Sequence, residues 1–262
     1  MIALLALLVL GQNGDEGPTP AGTLVADTVE REWVDQVLED GRHQRFGTAD
    51  KGPVHVWRPK SYQRESAAIV VYVHGFYVDV DQAMLEYDLP AQFRDSGRNA
   101  LFIVPETRSA ARDPLWWTDL EALLKTVEKR LRIKRPPGPI IVVSHSGGYR
   151  TVMDWLKHPD LTQVLLVDGM YGGDKEFKRW IDGRAEKPRQ FVMVGYDTET
   201  HAEWFLKQQA EVVRLDDLPY LYDELTTAQR NAPVLYLESV RYDHMAMVTT
   251  GRLVPWLLHA LR

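Results

Sequence analysis

The sequence predicts an α/β fold built on a mostly parallel, doubly wound sheet. Three observations carry that expectation. From about residue 54 onward, apolar runs of four or five residues alternate with helix-compatible segments. One such run, Ile140-Ile141-Val142-Val143, ends in Ser144-His145-Ser146-Gly147-Gly148, with helix-compatible Tyr149 to Leu156 directly behind it. The chain has 262 residues and is 45% hydrophobic, enough for the core of one large α/β domain. Strands alternating with helices imply right-handed crossovers and a sheet covered on both faces. In such sheets reacting groups lie beyond the carboxyl ends of the strands.

The elements follow in chain order. Ile2 to Leu10 is wholly apolar and is broken by Gly11-Gln12-Asn13-Gly14-Asp15. A bilayer-spanning helix needs about 20 residues, so this run is too short to cross. Its length suits the apolar region of a signal peptide, with Val9 and Gly11 as the small residues of a cleavage site. Residues 1–11 therefore read as an export signal and Gln12 as the mature start; a buried N-terminal segment is the competing reading. Residues 12–27 read as a flexible linker, Gly- and Pro-rich at the start, ahead of a domain over 28–262. No Cys occurs, so there is neither a disulfide framework nor a lipid-accepting thiol. An exported chain of that kind fits a bacterial periplasmic or extracellular protein.

Val29, Trp33, Val34, Val37 and Leu38 recur at helical spacing and predict a helix over 28–39, with Gly41 as its stop. Strands are predicted at Val54 to Trp57, Ile69 to Val73, Leu101 to Val104, Ile140 to Val143, Val164 to Val167, Phe191 to Val194 and Val234 to Leu237. Helices are predicted over 81–94, 119–131, 149–156, about 175–181, about 201–210 and 245–261. A net charge of −6 and the lack of a long basic run argue against nucleic acid or an anionic membrane as partner. The eight His and the acids show no metal-ligand spacing, and no Gly-rich phosphate loop occurs, so neither metal nor cofactor is expected.

The chemistry-bearing stretch is Ser144 to Gly148. A tight strand-to-helix turn holds one Ser hydroxyl at the sheet edge, and little side-chain volume fits two residues either side of it. Gly148 meets that need, and Ser144 stands where Gly is usual. Ser146 is the candidate nucleophile, and the Gly147 N–H the candidate oxyanion donor. Together with His74-Gly75-Phe76 after an earlier strand and His244 near the C-terminus, this pattern resembles the α/β-hydrolase superfamily over roughly residues 54–262. The resemblance implies that fold and serine-dependent hydrolysis of a small-molecule ester or amide. It also implies the Phe76 N–H as second oxyanion donor and His244 as base. His201 is the main rival among the other histidines; His145 adjoins Ser146 too tightly to turn back on it.

The acid stays open between two residues. Asp168 ends a buried apolar run, where an unpaired carboxylate is costly and an imidazolium partner would be useful. Asp197 lies in a polar loop one strand later, where members of the superfamily more often carry the acid. An ester substrate is the leading expectation, an amide uses the same groups, and a hydrolase-like binding protein without activity is the reading from another class. Tyr77, Tyr171 and the Trp116-Trp117 pair are placed where they could face substrate.

Overall fold

The computed structural model describes residues 33–110, 112–114, 116–183, 188–221 and 225–261. The expected export signal and linker lie outside the described residues. Among the described residues the strands are β1 (Trp33–Leu38), β2 (Gly41–Phe46), β3 (Val54–Pro59), β4 (Ala68–Val73), β5 (Ala100–Pro105), β6 (Ile140–His145), β7 (Leu161–Val167), β8 (Gln190–Gly195), β9 (Val213–Leu215) and β10 (Val234–Glu238). They form one ten-stranded sheet in the order β1-β2-β3-β5-β4-β6-β7-β8-β10-β9. Every pairing from β5 to the β9 edge is parallel, and β1, β2 and β3 add an antiparallel flank.

All six residues of β4, β5, β6 and β8 are buried. Strands covered on both faces read as unbroken apolar runs, which is why the sequence shows them so plainly. Ile69, Val71 and Val73 pack with Leu123 of α3 (Leu120–Leu131) and with Val152 and Trp155 of α4 (Tyr149–Trp155). The alternate residues Val70 and Tyr72 pack in the other layer, which holds Phe93 and Leu257. The sheet is thus doubly wound. Chain direction across it reverses at β4, which has β5 on one side and β6 on the other. The carboxyl ends of β4 and β6 flank that switch point, the place where such sheets open a crevice.

Three expected helices differ. The helix expected over 28–39 is, over its described part, strand β1. Val34 and Leu38 are its buried residues, while Trp33, Asp35 and Val37 are exposed. A spacing of four is even, so it fits the two-residue period of a strand as well as a helical turn. Glu39 and Asp40 both have positive φ (50° and 55°), the signature of a two-residue hairpin turn into β2. Gly41 is not a helix stop: a Cβ there would lie 2.3 Å from the Trp57 ring.

The single helix expected over 81–94 is two, α1 (Val80–Glu86) and α2 (Leu89–Asp95). Asp88 turns left-handed between them at φ 48°, and Pro90 sits in the first turn of α2, where its missing N–H costs nothing. The closing helix is likewise split into α8 (Ala246–Thr249) and α9 (Leu253–Ala260), with Gly251 at φ 69° between them. The other helices are α5 (Asp174–Asp182), α6 (Glu199–Leu206) and α7 (Thr227–Arg230). No helix among the described residues is long and apolar enough to cross a membrane.

Candidate active site

Parallel register brings five strand ends together. Val73 pairs with Ser144, His145 with Val167, Val167 with Val194, and Gly195 with Glu238. The residues just beyond these pairs are His74-Gly75-Phe76, Ser146, Asp168, Tyr196-Asp197 and the loop that carries His244. Ser146 sits at φ 51°, a left-handed conformation that costs a non-glycine residue energy and marks a turn fixed by its surroundings. Gly148 lets β4 close on this turn, since a Cβ there would lie 2.7 Å from the His74 carbonyl oxygen and 2.8 Å from Ser144 Oγ.

His244 lies between Ser146 and Asp168. Its Nδ1 is 2.6 Å from Asp168 Oδ2 and its Nε2 is 3.0 Å from Ser146 Oγ. An ionised carboxylate can only accept, so Nδ1 carries the proton and Nε2 offers its lone pair to the Ser146 hydroxyl. Asp197 stands further away, its Oδ2 3.9 Å from the same Nδ1. Asp168 is fully buried, whereas the Asp197 side chain is 54% exposed.

The loop after β8 wraps Asp168. Oδ1 accepts from the Tyr196 N–H at 2.9 Å, the Thr198 N–H at 3.0 Å and Thr198 Oγ1 at 2.8 Å, and Oδ2 accepts from the Asp197 N–H at 3.2 Å. Burial pushes the Asp168 carboxyl up, but the hydrogen bonds from His244, Tyr196 and Thr198 outweigh it and hold the group at about 2. The hydrogen bond to Asp168 in turn raises the His244 imidazole above its ordinary 6.5, against the opposing effect of burial, with Asp197 and Asp243 adding to the rise.

Asp168, Asp197 and His244 present ligand atoms within 4.8 Å of one another. A cation there would have to displace the donors already on Asp168, so the set fits a base with its carboxylates better than a metal site.

Phe76 and Gly147 are in contact: a Cβ on Gly147 would lie 2.7 Å from three atoms of the Phe76 ring. The turn bearing Phe76 is anchored from below. His74 Nε2 lies 3.0 Å from Glu106 Oε1, and Glu106 Oε2 accepts the Val80 N–H at 3.2 Å. The next residue, Tyr77, has φ 72° and donates its N–H to the Ser109 carbonyl at 2.7 Å.

Sequence reasoning missed several contributors. His145 was set aside as a base, yet its Nε2–H donates to the His244 carbonyl at 3.0 Å, with the two rings 4.6 Å apart. Burial, with the His244 charge beside it, holds its imidazole down at about 3. Thr198 and Glu106 were also missed; both follow strands at the carboxyl edge, which was the one signal available. Of the other residues singled out, Tyr171 lies 6.5 Å from the His244 ring, edge-on, and His201 lies 6.4 Å from Tyr171 rather than on Ser146. Tyr77 is exposed, and Trp117 is buried in the core with its carbonyl on Trp155 Nε1.

No family model matches the sequence, and no curated protein matches it. Solved structures do resemble the fold. An S-formylglutathione hydrolase from Agrobacterium tumefaciens superposes with a TM-score of 0.56 and 13% identity, over 88% of this chain and 100% of that one. A feruloyl esterase module from Clostridium thermocellum, solved in complex with sinapinate, gives 0.57 and 10% identity over 86% and 89%. An arylesterase gives 0.53 and 12% identity over 90% and 88%. The chain thus has the α/β-hydrolase fold in the form found in esterases.

Proposed function

We propose that this protein is a serine hydrolase that cleaves a carboxylic ester through an acyl-enzyme. The observation that carries the reading is the hydrogen-bonded run Ser146 Oγ–His244 Nε2 at 3.0 Å and His244 Nδ1–Asp168 Oδ2 at 2.6 Å, at the strained turn of a fold shared with esterases. A Ser hydroxyl is a weak nucleophile until a neighbouring imidazole takes its proton. As Ser146 Oγ bonds to the ester carbonyl carbon, its proton passes to His244 Nε2. Asp168 keeps the ring oriented and offsets its new charge. The N–H groups of Phe76 and Gly147 are assigned to the oxyanion. Collapse breaks the C–O bond, and His244 returns the proton to the leaving alcohol. Water then attacks the acyl group with His244 as base and releases the acid.

Labelling with a fluorophosphonate tests the assignment. Wild type should take one label and hydrolyse short aryl esters. Ser146→Ala should take none and lose on the order of 10³-fold or more in turnover. Turnover in that variant above about a tenth of wild type would remove Ser146 from the mechanism, and no labelling of folded wild type would favour a binding protein. The same groups serve an amidase, which matched anilide and phenyl ester substrates would reveal. We further propose export, on the Ile2 to Leu10 run and the Val9-x-Gly11 site. A native product whose intact mass retains Met1 would overturn it.

A further inference from the structure

Arg150 stands on the first turn of α4, four residues after Ser146, and is partly buried. Its guanidinium carbon lies 5.7 Å from the centroid of the Phe76 ring and 5.7 Å from that of Tyr149. Its Nε–H donates to the Tyr149 hydroxyl at 3.3 Å. Both rings neighbour the site, Tyr149 from within the core. Phe76 lies on Gly147, and Tyr149 is 6.3 Å from Tyr171, which in turn stands edge-on to His244.

Other arginines of this acidic chain meet carboxylates: Arg42 has Asp35, Arg45 has Asp81, Arg135 has Glu121 and Glu128, and Arg241 has Asp217. Among the described residues no carboxylate pairs with Arg150; its partners are two aromatic faces and a phenol. Stacking on rings leaves a guanidinium's N–H edge available, and that edge matches a carboxylate in geometry and charge.

Resting on the hydrolase reading above, we propose that Arg150 is the recognition group for a carboxylate carried by the substrate. The substrate is then an ester with a second, ionised carboxyl group: a half-ester of a dicarboxylic acid, or an ester of a carboxyl-bearing alcohol or phenol. Phe76 and Tyr171 form the apolar wall along which the part between ester and carboxylate lies. The Arg150 guanidinium takes that remote carboxylate, leaving the ester carbonyl to Ser146.

Two matched pairs test this. One is 4-nitrophenyl hydrogen adipate against its methyl ester, which places the carboxylate on the acyl side. The other is 4-carboxyphenyl butyrate against 4-(methoxycarbonyl)phenyl butyrate, which places it on the leaving group. Wild type should prefer the carboxylate member of at least one pair in kcat/KM. Arg150→Met should reduce that preference by about 10- to 100-fold, the scale of a charge-assisted hydrogen bond. Arg150→Lys should keep part of it and supplies the measurement if the Met variant does not fold. Competition needs no turnover: monomethyl adipate or 4-hydroxybenzoate should slow fluorophosphonate labelling of wild type more than of the variant.

Unchanged ratios in both pairs, with unchanged protection, would overturn the Arg150 assignment while labelling of Ser146 still supported the hydrolase. Absence of labelling in folded wild type would instead overturn the hydrolase reading.

Discussion

His244 Nδ1 has one proton to give, and Asp168 accepts it at 2.6 Å while Asp197 stands at 3.9 Å. On the proposed mechanism Asp168→Asn should cut turnover by about 10³- to 10⁴-fold, and Asp197→Asn should be mild. Asp197 is near enough to support the ring when Asp168 is lost, so the double variant should fall below Asp168→Asn alone; equal rates in the two would show that Asp197 contributes nothing. The base must be neutral to accept the Ser146 proton, and the hydrogen bond to Asp168 raises its pKa. kcat/KM should therefore rise with pH through a midpoint above 6.5, and Asp168→Asn should move that midpoint down. A rate flat from about pH 5 to 8, with chemistry limiting, would count against His244.

At this scale the motifs and strand-end positions in the sequence single out Ser146 and His244 as candidates, and the structure places the two side chains 3.0 Å apart. It left the acid open, because burial favoured Asp168 and superfamily habit favoured Asp197. What separates them is the set of backbone donors from residues 196–198, and a set of N–H directions has no sequence signature.

At the scale of elements, the central strands were legible and the breaks in helices were not. Apolar runs such as Ile140 to Val143 admit one reading once helices flank them. The segment before Gly41 did not, because Val34 and Leu38 fit both periods. The Asp40-Gly41 pair marks a hairpin, but the turn residues with positive φ are Glu39 and Asp40. Gly41 is required instead by the Trp57 ring and the Arg58 carbonyl oxygen, 2.3 and 2.6 Å from where a Cβ would stand. Gly41→Ala should thus destabilise the fold by about 1–3 kcal/mol through overpacking, read from urea unfolding. A change within about 0.5 kcal/mol would mean that β2 shifts freely, and that this hairpin is looser than its burial suggests.

The whole molecule carries a dependence on acid that no single element shows. His43 on β2 and His145 at the end of β6 are both buried, and burial, first among the causes, holds both down at about 3. His43 is also one link in a buried run, its Nε2 2.9 Å from His55 Nδ1, with His55 Nε2 2.9 Å from Asp81 Oδ1. Between about pH 6.5 and 3 the unfolded chain binds protons that these two sites refuse. Stability should be lost as pH falls through that window, by up to about 1.4 kcal/mol per pH unit for each group. Urea midpoints at pH 7.5, 6 and 5 should therefore decline in wild type and decline less steeply in His43→Gln. Parallel lines for the two proteins would mean that His43 is protonated in the folded state. The charge pattern alone could not have shown this, since it depends on which of the eight His the sheet encloses.

The two carboxylates beside one imidazole also bear on descent. Moving a catalytic acid from one strand end to its neighbour looks like a leap, because the intermediate sequence should have no acid or a misplaced one. Here the receiving position is already filled, and the loop that bears Asp197 holds Asp168 by its backbone, which persists whatever side chains are exchanged. On the proposed mechanism, a lineage that first brings the Asp197 carboxylate up to Nδ1 can then lose Asp168 without passing through a form that has no acid beside His244.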